Sequence, residues 1–291
     1  MPDVMIFGCG PAGISAALYT ARAGLDTLVV GERSGALLKT DKIQNYYGFP
    51  EPVSGKALFE NGVAQARRVG AKFLLGEILG LTYDGGFTAV TSAGKASAPL
   101  AVLATGAARK APGIPGAAEF EGRGVSYCAV CDAFFYRKKR VAVLGSGGYA
   151  LHEARELLPV VEKVTVLTDG ERPAAQFPPE MEVDTRKIGS LFGGETLAGV
   201  EFADGSRLEA AGLFVALGVA GSTDLARKLG AEIRNGAVVT DENRRTNVPG
   251  LYAAGDCTGG LLQIAKAVYD GAAAGTSAVK EFRRMRAQAK G

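Results

Sequence analysis

The strongest constraint on this chain is a pattern that it carries twice. Residues 4–32 read VMIFGCGPAGISAALYTARAGLDTLVVGE, and residues 141–169 read VAVLGSGGYALHEARELLPVVEKVTVLTD. Each block holds an apolar run of strand length, a glycine cluster, a segment of helical period, and a second apolar run ending in an acid. That is a βαβ unit. Gly8 to Glu32 and Gly145 to Asp169 both span 24 positions. The shared ruler predicts an α/β chain with two dinucleotide-binding, Rossmann-like domains.

A third stretch, TNVPGLYAAGDCTGG at 246–260, reads as a short strand ending at Asp256 and a glycine pair. Residues 260–285 then read as one long helix, small residues early and basic ones late, an order that suits the helix dipole. Between about 170 and 240 the pattern is of short strands and turns. QFPPEMEVD, with two prolines, has no helical period, so no further crossover helix is expected there.

Composition excludes several classes. With 33 basic and 30 acidic residues the net charge is +3, which gives no global push toward nucleic acid or an anionic membrane. No apolar run approaches the roughly 20 residues that span a bilayer. The segment MPDVMIFGCG does not resemble a signal peptide. Four cysteines in 291 residues do not make a disulfide-stapled scaffold. A reducing cytoplasm is the expected compartment.

The first glycine cluster is Gly8-Cys9-Gly10-Pro11-Ala12-Gly13. In such a turn Gly8 allows the tight bend, Gly10 lets the backbone approach a pyrophosphate, and Gly13 lets helix and strand pack closely. The helix N-terminus then faces the diphosphate with unpaired N–H groups. Glu32 ends the second strand, where an acid accepts hydrogen bonds from a ribose. The second cluster runs Gly145-Ser146-Gly147-Gly148-Tyr149-Ala150, a GxGxxA pattern with Gly145, Gly147 and Ala150 at its key positions. Asp169 holds the ribose-acid position there. An acid repels the 2′-phosphate of NADP and accepts the free hydroxyls of NAD. No arginine cluster follows; Arg172 stands alone between Glu171 and Pro173.

Residues 126–136, SYCAVCDAFFY, place Cys128 and Cys131 in a CxxC followed at once by Asp132. Structural zinc needs four ligands. With one CxxC, one histidine (His152), and Cys9 and Cys257 lying in glycine-rich loops, no metal site is expected. An inert buried pair remains open. A redox pair is the other reading: one thiolate attacks a disulfide, its neighbour resolves the mixed disulfide, and Asp132 serves as general acid and base.

Together these pieces resemble the low-molecular-weight thioredoxin reductases over nearly the whole chain. The motifs are Gly8 to Gly13, Ala104-Thr105-Gly106, residues 122–147 with the CxxC, and Thr246 through Asp256. The resemblance implies a discontinuous FAD-binding domain at 1–113 and 242–291, with a pyridine-nucleotide-type domain at 114–241 inserted and carrying the CxxC. It implies that Gly8, Gly10, Pro11, Ala12 and Gly13 hold the FAD diphosphate. Glu32 would take the adenosine ribose, and Gly255 with Asp256 the flavin side of the diphosphate or ribityl chain. Gln263 and Ile264 would reach the ring system, Asn45 would lie in a covering loop, and Thr105 and Gly106 would form the ATG turn. Cys131 would face the flavin, Cys128 would attack a thioredoxin or thioredoxin-like protein, and Asp132 would manage the proton. A homodimer is the family expectation.

The departures bear on the electron donor. The family's HRRxxxR-type cluster, which holds the 2′-phosphate of NADPH, is Thr168-Asp169-Gly170-Glu171-Arg172-Pro173 here. Its GGQL is Gly35-Ala36-Leu37-Leu38, the arginine before Gln263 is Leu262, and His152 replaces a glutamate. The expected function is therefore an FAD-dependent disulfide oxidoreductase whose donor is not NADPH but ferredoxin or another flavin or deazaflavin reductant. The alternatives are an NADH-dependent thioredoxin reductase, a small-molecule dithiol oxidase, or a non-catalytic flavin protein. Arg137-Lys138-Lys139-Arg140 reads as a solvated turn, with docking of an acidic donor as its alternative.

Overall fold

The computed structural model describes residues 1–32, 35–107, 112–218 and 221–289. Two compact units divide the chain: Met1–Ala108 with Gly221–Gly291, and Arg109–Ala220.

The first unit begins β1 (Val4–Phe7), α1 (Pro11–Arg22), β2 (Thr27–Gly31), α2 (Gly55–Arg68) and β3 (Lys72–Leu75). An antiparallel set follows, β4 (Ile78–Tyr83), β5 (Phe87–Thr91) and β6 (Gly94–Ala98), and then β7 (Leu100–Leu103). The second unit contains β8 (Val125–Ser126), α3 (Ala129–Asp132), β9 (Arg140–Leu144), α4 (Gly148–Leu157), β10 (Lys163–Leu167) and β11 (Glu182–Asp184). Its own antiparallel set is β12 (Ile188–Gly193), β13 (Leu197–Phe202) and β14 (Arg207–Glu209), followed by β15 (Gly212–Val215). The chain returns to the first unit with α5 (Ser222–Lys228), β16 (Ile233–Arg234), β17 (Ala237–Val238), β18 (Leu251–Ala253) and α6 (Ile264–Gln288).

The duplicated sequence pattern becomes a duplicated sheet. The first unit has a parallel sheet in the order β18-β7-β1-β2-β3, the second a parallel sheet in the order β11-β10-β9-β15-β8. In each, the strand that precedes the glycine turn lies in the middle. Ile6 pairs in register with Val29 on one side and Val102 on the other, and all three are fully buried. Strands covered on both faces read as unbroken apolar runs, as VMIF and VAVL do. Burial of each such side chain contributes about 1.5–3 kcal/mol.

The halves differ after their second strand. From β2 the chain crosses through α2 to β3, whereas residues 168–181 between β10 and β11 contain no helix. Pro173, Pro178 and Pro179 fall in that stretch, and proline lacks the N–H that a helix interior needs.

The compact units divide at 220/221, whereas the resemblance implies a boundary at 241/242. Residues 221–241, read as part of the inserted segment, pack in the first unit. The cause is α5, whose Ser222 hydroxyl donates to the Gly106 carbonyl at 2.6 Å and whose Leu225 and Ala226 are fully buried. The long final helix begins at Ile264, after the Gly259–Gly260 pair, and runs to Gln288. Its buried stripe, Ala267, Asp270, Gly271, Ala274, Gly275 and Ala278, has helical spacing. A Cβ on Gly271 would sit 2.1 Å from the Ala12 carbonyl oxygen, so glycine is what lets α6 lie directly on α1.

Candidate active site

In the first unit the glycine cluster forms the turn from β1 into α1. Gly8 N–H donates to Val30 O at 2.8 Å, tying the turn to β2. A Cβ on Gly13 would lie 1.9 Å from Gly8 O, so any larger residue would push the helix off the strand. A Cβ on Gly10 would meet nothing within 4 Å, which leaves its backbone open to a ligand. Pro11 is the first residue of α1, and Gly10 gives that helix no side-chain cap. The helix therefore presents unpaired N–H groups. Ala12 is buried against the core, and Glu32 is exposed just beyond β2.

Other segments of the same unit complete this cradle. Thr105 Oγ1 is buried and has no hydrogen-bond partner among the described residues; such a group calls for a ligand or water. Asn45 Nδ2 donates to Gln263 Oε1 at 3.0 Å, joining residues 218 positions apart. Ile264 opens α6 and, with Cys9, Gly10 and Pro11, lines a cavity of about 520 Å³ that extends to Tyr46, Tyr47 and Phe59. Asp256 begins a single helical turn to Thr258, and that turn is clamped from below. Lys266 Nζ donates to Gly255 O (2.8 Å), Thr258 Oγ1 (2.7 Å) and Gly259 O (2.7 Å). Asp270, fully buried, accepts from Gly255 N at 3.1 Å and pairs with Lys266 at 2.9 Å. Arg244 Nη2 lies 2.8 Å from Asp270 Oδ1 without hydrogen-bond alignment, so that contact is between charges. An open backbone at Gly10, an uncapped helix start and an unpartnered Thr105 hydroxyl are the features that a flavin dinucleotide requires, and these residues fit FAD.

In the second unit Cys128 and Cys131 are joined as a disulfide, with Cα atoms 5.3 Å apart. Cys128 caps α3, its Sγ accepting Cys131 N–H at 3.2 Å. Ser126, two residues before Cys128, donates its hydroxyl to Asp132 Oδ2 at 2.6 Å and accepts Cys128 N–H at 3.1 Å. It thereby holds the aspartate beside the pair. From α4, Glu153 Oε2 accepts Ala129 N–H at 2.9 Å, and Glu153 is buried. Cys128 is buried in this conformation and Cys131 is exposed. Val130, Phe134 and Phe135 are exposed by 56%, 72% and 69%, an apolar face around the disulfide. Burial pushes the Tyr136 phenol above its usual range, and the Asp132 charge adds to that. Ser126, Glu153 and the Arg244–Asp270–Lys266 cluster escaped the sequence reading. The only signals were a serine two places before the CxxC and the first of two adjacent titratable residues, His152, drawing notice instead of the second.

The second glycine cluster is partly closed by its own chain. Gly145 ends β9, Ala150 is fully buried in α4, and Gly147 keeps open space where its Cβ would be. The Ser146 carbonyl, however, accepts Ala174 N–H at 2.7 Å and Ala175 N–H at 3.0 Å, and the Ser146 hydroxyl donates to Glu171 Oε2 at 2.9 Å. Asp169 is committed too: Oδ2 pairs with Lys187 Nζ at 2.8 Å, and Oδ1 accepts Ile188 N–H at 2.9 Å. Among the described residues no cluster of His, Cys, Asp or Glu could hold a metal ion, and no helix is long and apolar enough to cross a membrane.

One unit with a glycine-turn cradle that fits FAD and another with a CxxC disulfide are the parts of a flavin disulfide oxidoreductase. The family model for pyridine nucleotide-disulphide oxidoreductases matches residues 2–271. The thioredoxin reductase of Listeria innocua is 36% identical over 304 residues, covering 98% of this chain and 95% of that protein. The thioredoxin reductase of Aquifex aeolicus is 36% identical over 275 residues, covering 87% and 84%. Among solved structures, the atypical thioredoxin reductase TRi from Desulfovibrio vulgaris Hildenborough matches with a TM-score of 0.91 at 46% identity, covering 98% and 99% of the two chains. A ferredoxin-flavin thioredoxin reductase from Clostridium acetobutylicum matches with a TM-score of 0.73 at 29% identity, covering 97% and 98%. The chain belongs to the pyridine nucleotide-disulphide oxidoreductase family, as one of its low-molecular-weight, FAD-dependent thioredoxin reductase-like enzymes.

Proposed function

We propose that this enzyme reduces the disulfide of a thioredoxin-type protein through Cys128 and Cys131, with electrons that enter from a donor other than NADPH. The observation that carries the donor half is the state of the second glycine cluster. A dinucleotide there would meet Ser146 already bonded to Glu171, Ala174 and Ala175, and both Asp169 oxygens already bonded. The open side of Gly147 is the one feature that favours NADH as a second reading. Ferredoxin is the donor we favour, in line with the ferredoxin-flavin enzyme of Clostridium acetobutylicum.

Bound FAD would supply the two-electron reduction of the disulfide. Gly8 to Gly13, Glu32, Asn45, Thr105, Gly106, Gly255, Asp256, Gln263 and Ile264 would hold it. Reduction of the Cys128–Cys131 bond consumes two electrons and two protons and leaves two thiols. One thiolate then attacks the partner's disulfide, and the other breaks the mixed disulfide, which restores the bond and releases the partner as a dithiol. Asp132, held by Ser126, is placed to take and return the proton. Val130, Phe134 and Phe135 offer the partner an apolar face. By resemblance Cys128 attacks the partner, which requires that buried residue to become exposed when the partner docks. We also expect a homodimer.

Anaerobic titration of the flavin absorbance tests the donor. Reduced ferredoxin should bleach the flavin, whereas micromolar NADPH and excess NADH should not; rapid bleaching by NADPH would sink the proposal. Single cysteine variants test the order of attack. Cys131→Ser should trap a mixed disulfide with thioredoxin and Cys128→Ser should not; the reverse pattern would exchange the two roles.

A further inference from the structure

Glu153 is a buried carboxylate that the proposed chemistry does not use, and it touches the turn that carries the disulfide. Its Oε2 accepts the N–H of Ala129 at 2.9 Å. That N–H belongs to the peptide directly after Cys128. Glu153 is 2% exposed and Ala129 fully buried, so water does little to screen the charge. We propose that Glu153 is a positioning residue that sets the reducing strength of the Cys128–Cys131 pair.

The argument compares the two redox states. Reduction adds two electrons and two protons to the S–S bond, and part of the product is thiolate near neutral pH. A negative charge close by disfavours the thiolate. Glu153 also occupies a backbone N–H that could otherwise solvate it. Both effects raise the energy of the reduced pair relative to the disulfide. A pair destabilised when reduced passes its electrons on more readily. Glu153 acts through Ala129 and does not contact the sulfur in the hydrogen bond described. Other titratable groups on the turn and on α4, which packs against it, are Tyr127, Asp132, Tyr136, Tyr149, His152, Arg155 and Glu156, the last two exposed.

Glu153→Gln separates charge from shape, because the amide oxygen can still accept Ala129 N–H. The FAD-loaded protein is equilibrated in dithiothreitol redox buffers at pH 7, quenched, alkylated and weighed. Glu153→Gln should shift the equilibrium about fivefold toward the dithiol, about 20 mV for a two-electron couple. Iodoacetamide should alkylate the reduced pair faster by a similar factor. Glu153→Asp, which keeps the charge, should stay near wild type in both. A Gln variant within about 1.5-fold of wild type on both readouts would overturn the proposal. So would an Asp variant that behaves like the Gln variant.

If the Gln substitution does not fold, Glu153→Ala decides. It removes the charge and frees Ala129 N–H, so the equilibrium at pH 7 should again move toward the dithiol; no shift, or a shift toward the disulfide, would overturn the proposal. The inference rests on the reading of Cys128 and Cys131 as the redox pair. A wild-type protein with no reducible pair by mass would defeat that reading first, which is a different result from an unshifted equilibrium.

Discussion

Asp270 is where one substitution should do the most damage, because it holds the Gly255 turn of the proposed cradle from beneath. Its carboxylate is fully buried and faces two cations, Lys266 at 2.9 Å and Arg244 at 2.8 Å, and it accepts Gly255 N–H. Asp270→Ala removes the only carboxylate described at both cations. Removing one partner of a buried pair costs about 3–5 kcal/mol. Lys266 and Arg244 keep 17% and 21% of their side-chain surface exposed, so they can rehydrate in part. The lower value, about 3 kcal/mol, is therefore appropriate. The orphaned Gly255 N–H adds about 1 kcal/mol. For a domain of this size about 4 kcal/mol corresponds to a fall in Tm of roughly 8–16 °C. Thermal unfolding should be followed by circular dichroism and by release of flavin fluorescence in parallel. Asp270→Asn, which keeps an acceptor for Gly255 N–H, should recover about 1 kcal/mol of the loss. An Asp270→Ala protein that releases flavin within about 2 °C of wild type, under 1 kcal/mol, would refute the reasoning.

Other expectations are as direct. Gly13→Ala puts a Cβ 1.9 Å from Gly8 O, so the purified protein should lose more than about tenfold in FAD affinity, roughly 1.4 kcal/mol; flavin content by absorbance is the check. Ser126→Ala frees Asp132 and should slow thioredoxin reduction about tenfold, less than the roughly hundredfold expected for Asp132→Asn; stopped-flow reoxidation of the dithiol with thioredoxin separates the two. Burial pushes the Cys257 thiol from 9.0 up to about 12. In the native protein it should not react with a disulfide reagent at pH 8, and in urea it should. Between those two values unfolding releases a proton from Cys257, so this group lowers stability as pH rises through that window and changes nothing below it.

The parallel sheets were legible because their information is local. VMIF and VAVL are short and apolar throughout, a glycine turn follows each, and the helical period comes next. Such a string leaves the backbone few choices, and spacing places Gly13 against Gly8 whatever surrounds them. The helix missing after β10 was legible for the same reason, since three prolines spell it out. The return of the chain at 221 was not. Ser222 is an ordinary serine until Gly106, 116 positions away, offers its carbonyl.

The polar architecture around the sites belongs to the same second class. Arg244, Lys266 and Asp270 look like three scattered charges on a basic helix and a turn. Folding gathers them under Gly255 because α6 lies on α1 and brings its third and seventh residues, Lys266 and Asp270, back to the β18 turn. Glu153 follows helical spacing in α4 and gives no sign that it will meet Ala129. Asp169 stands at the ribose-acid position by count, yet Lys187 and Ile188 take its oxygens once β12 packs beside it. Strand, turn and helix are written in neighbouring residues and their periods. Which charges pair, which carboxylates stay available and which loop closes over Ser146 depend on groups tens of positions apart, and no local pattern records those meetings.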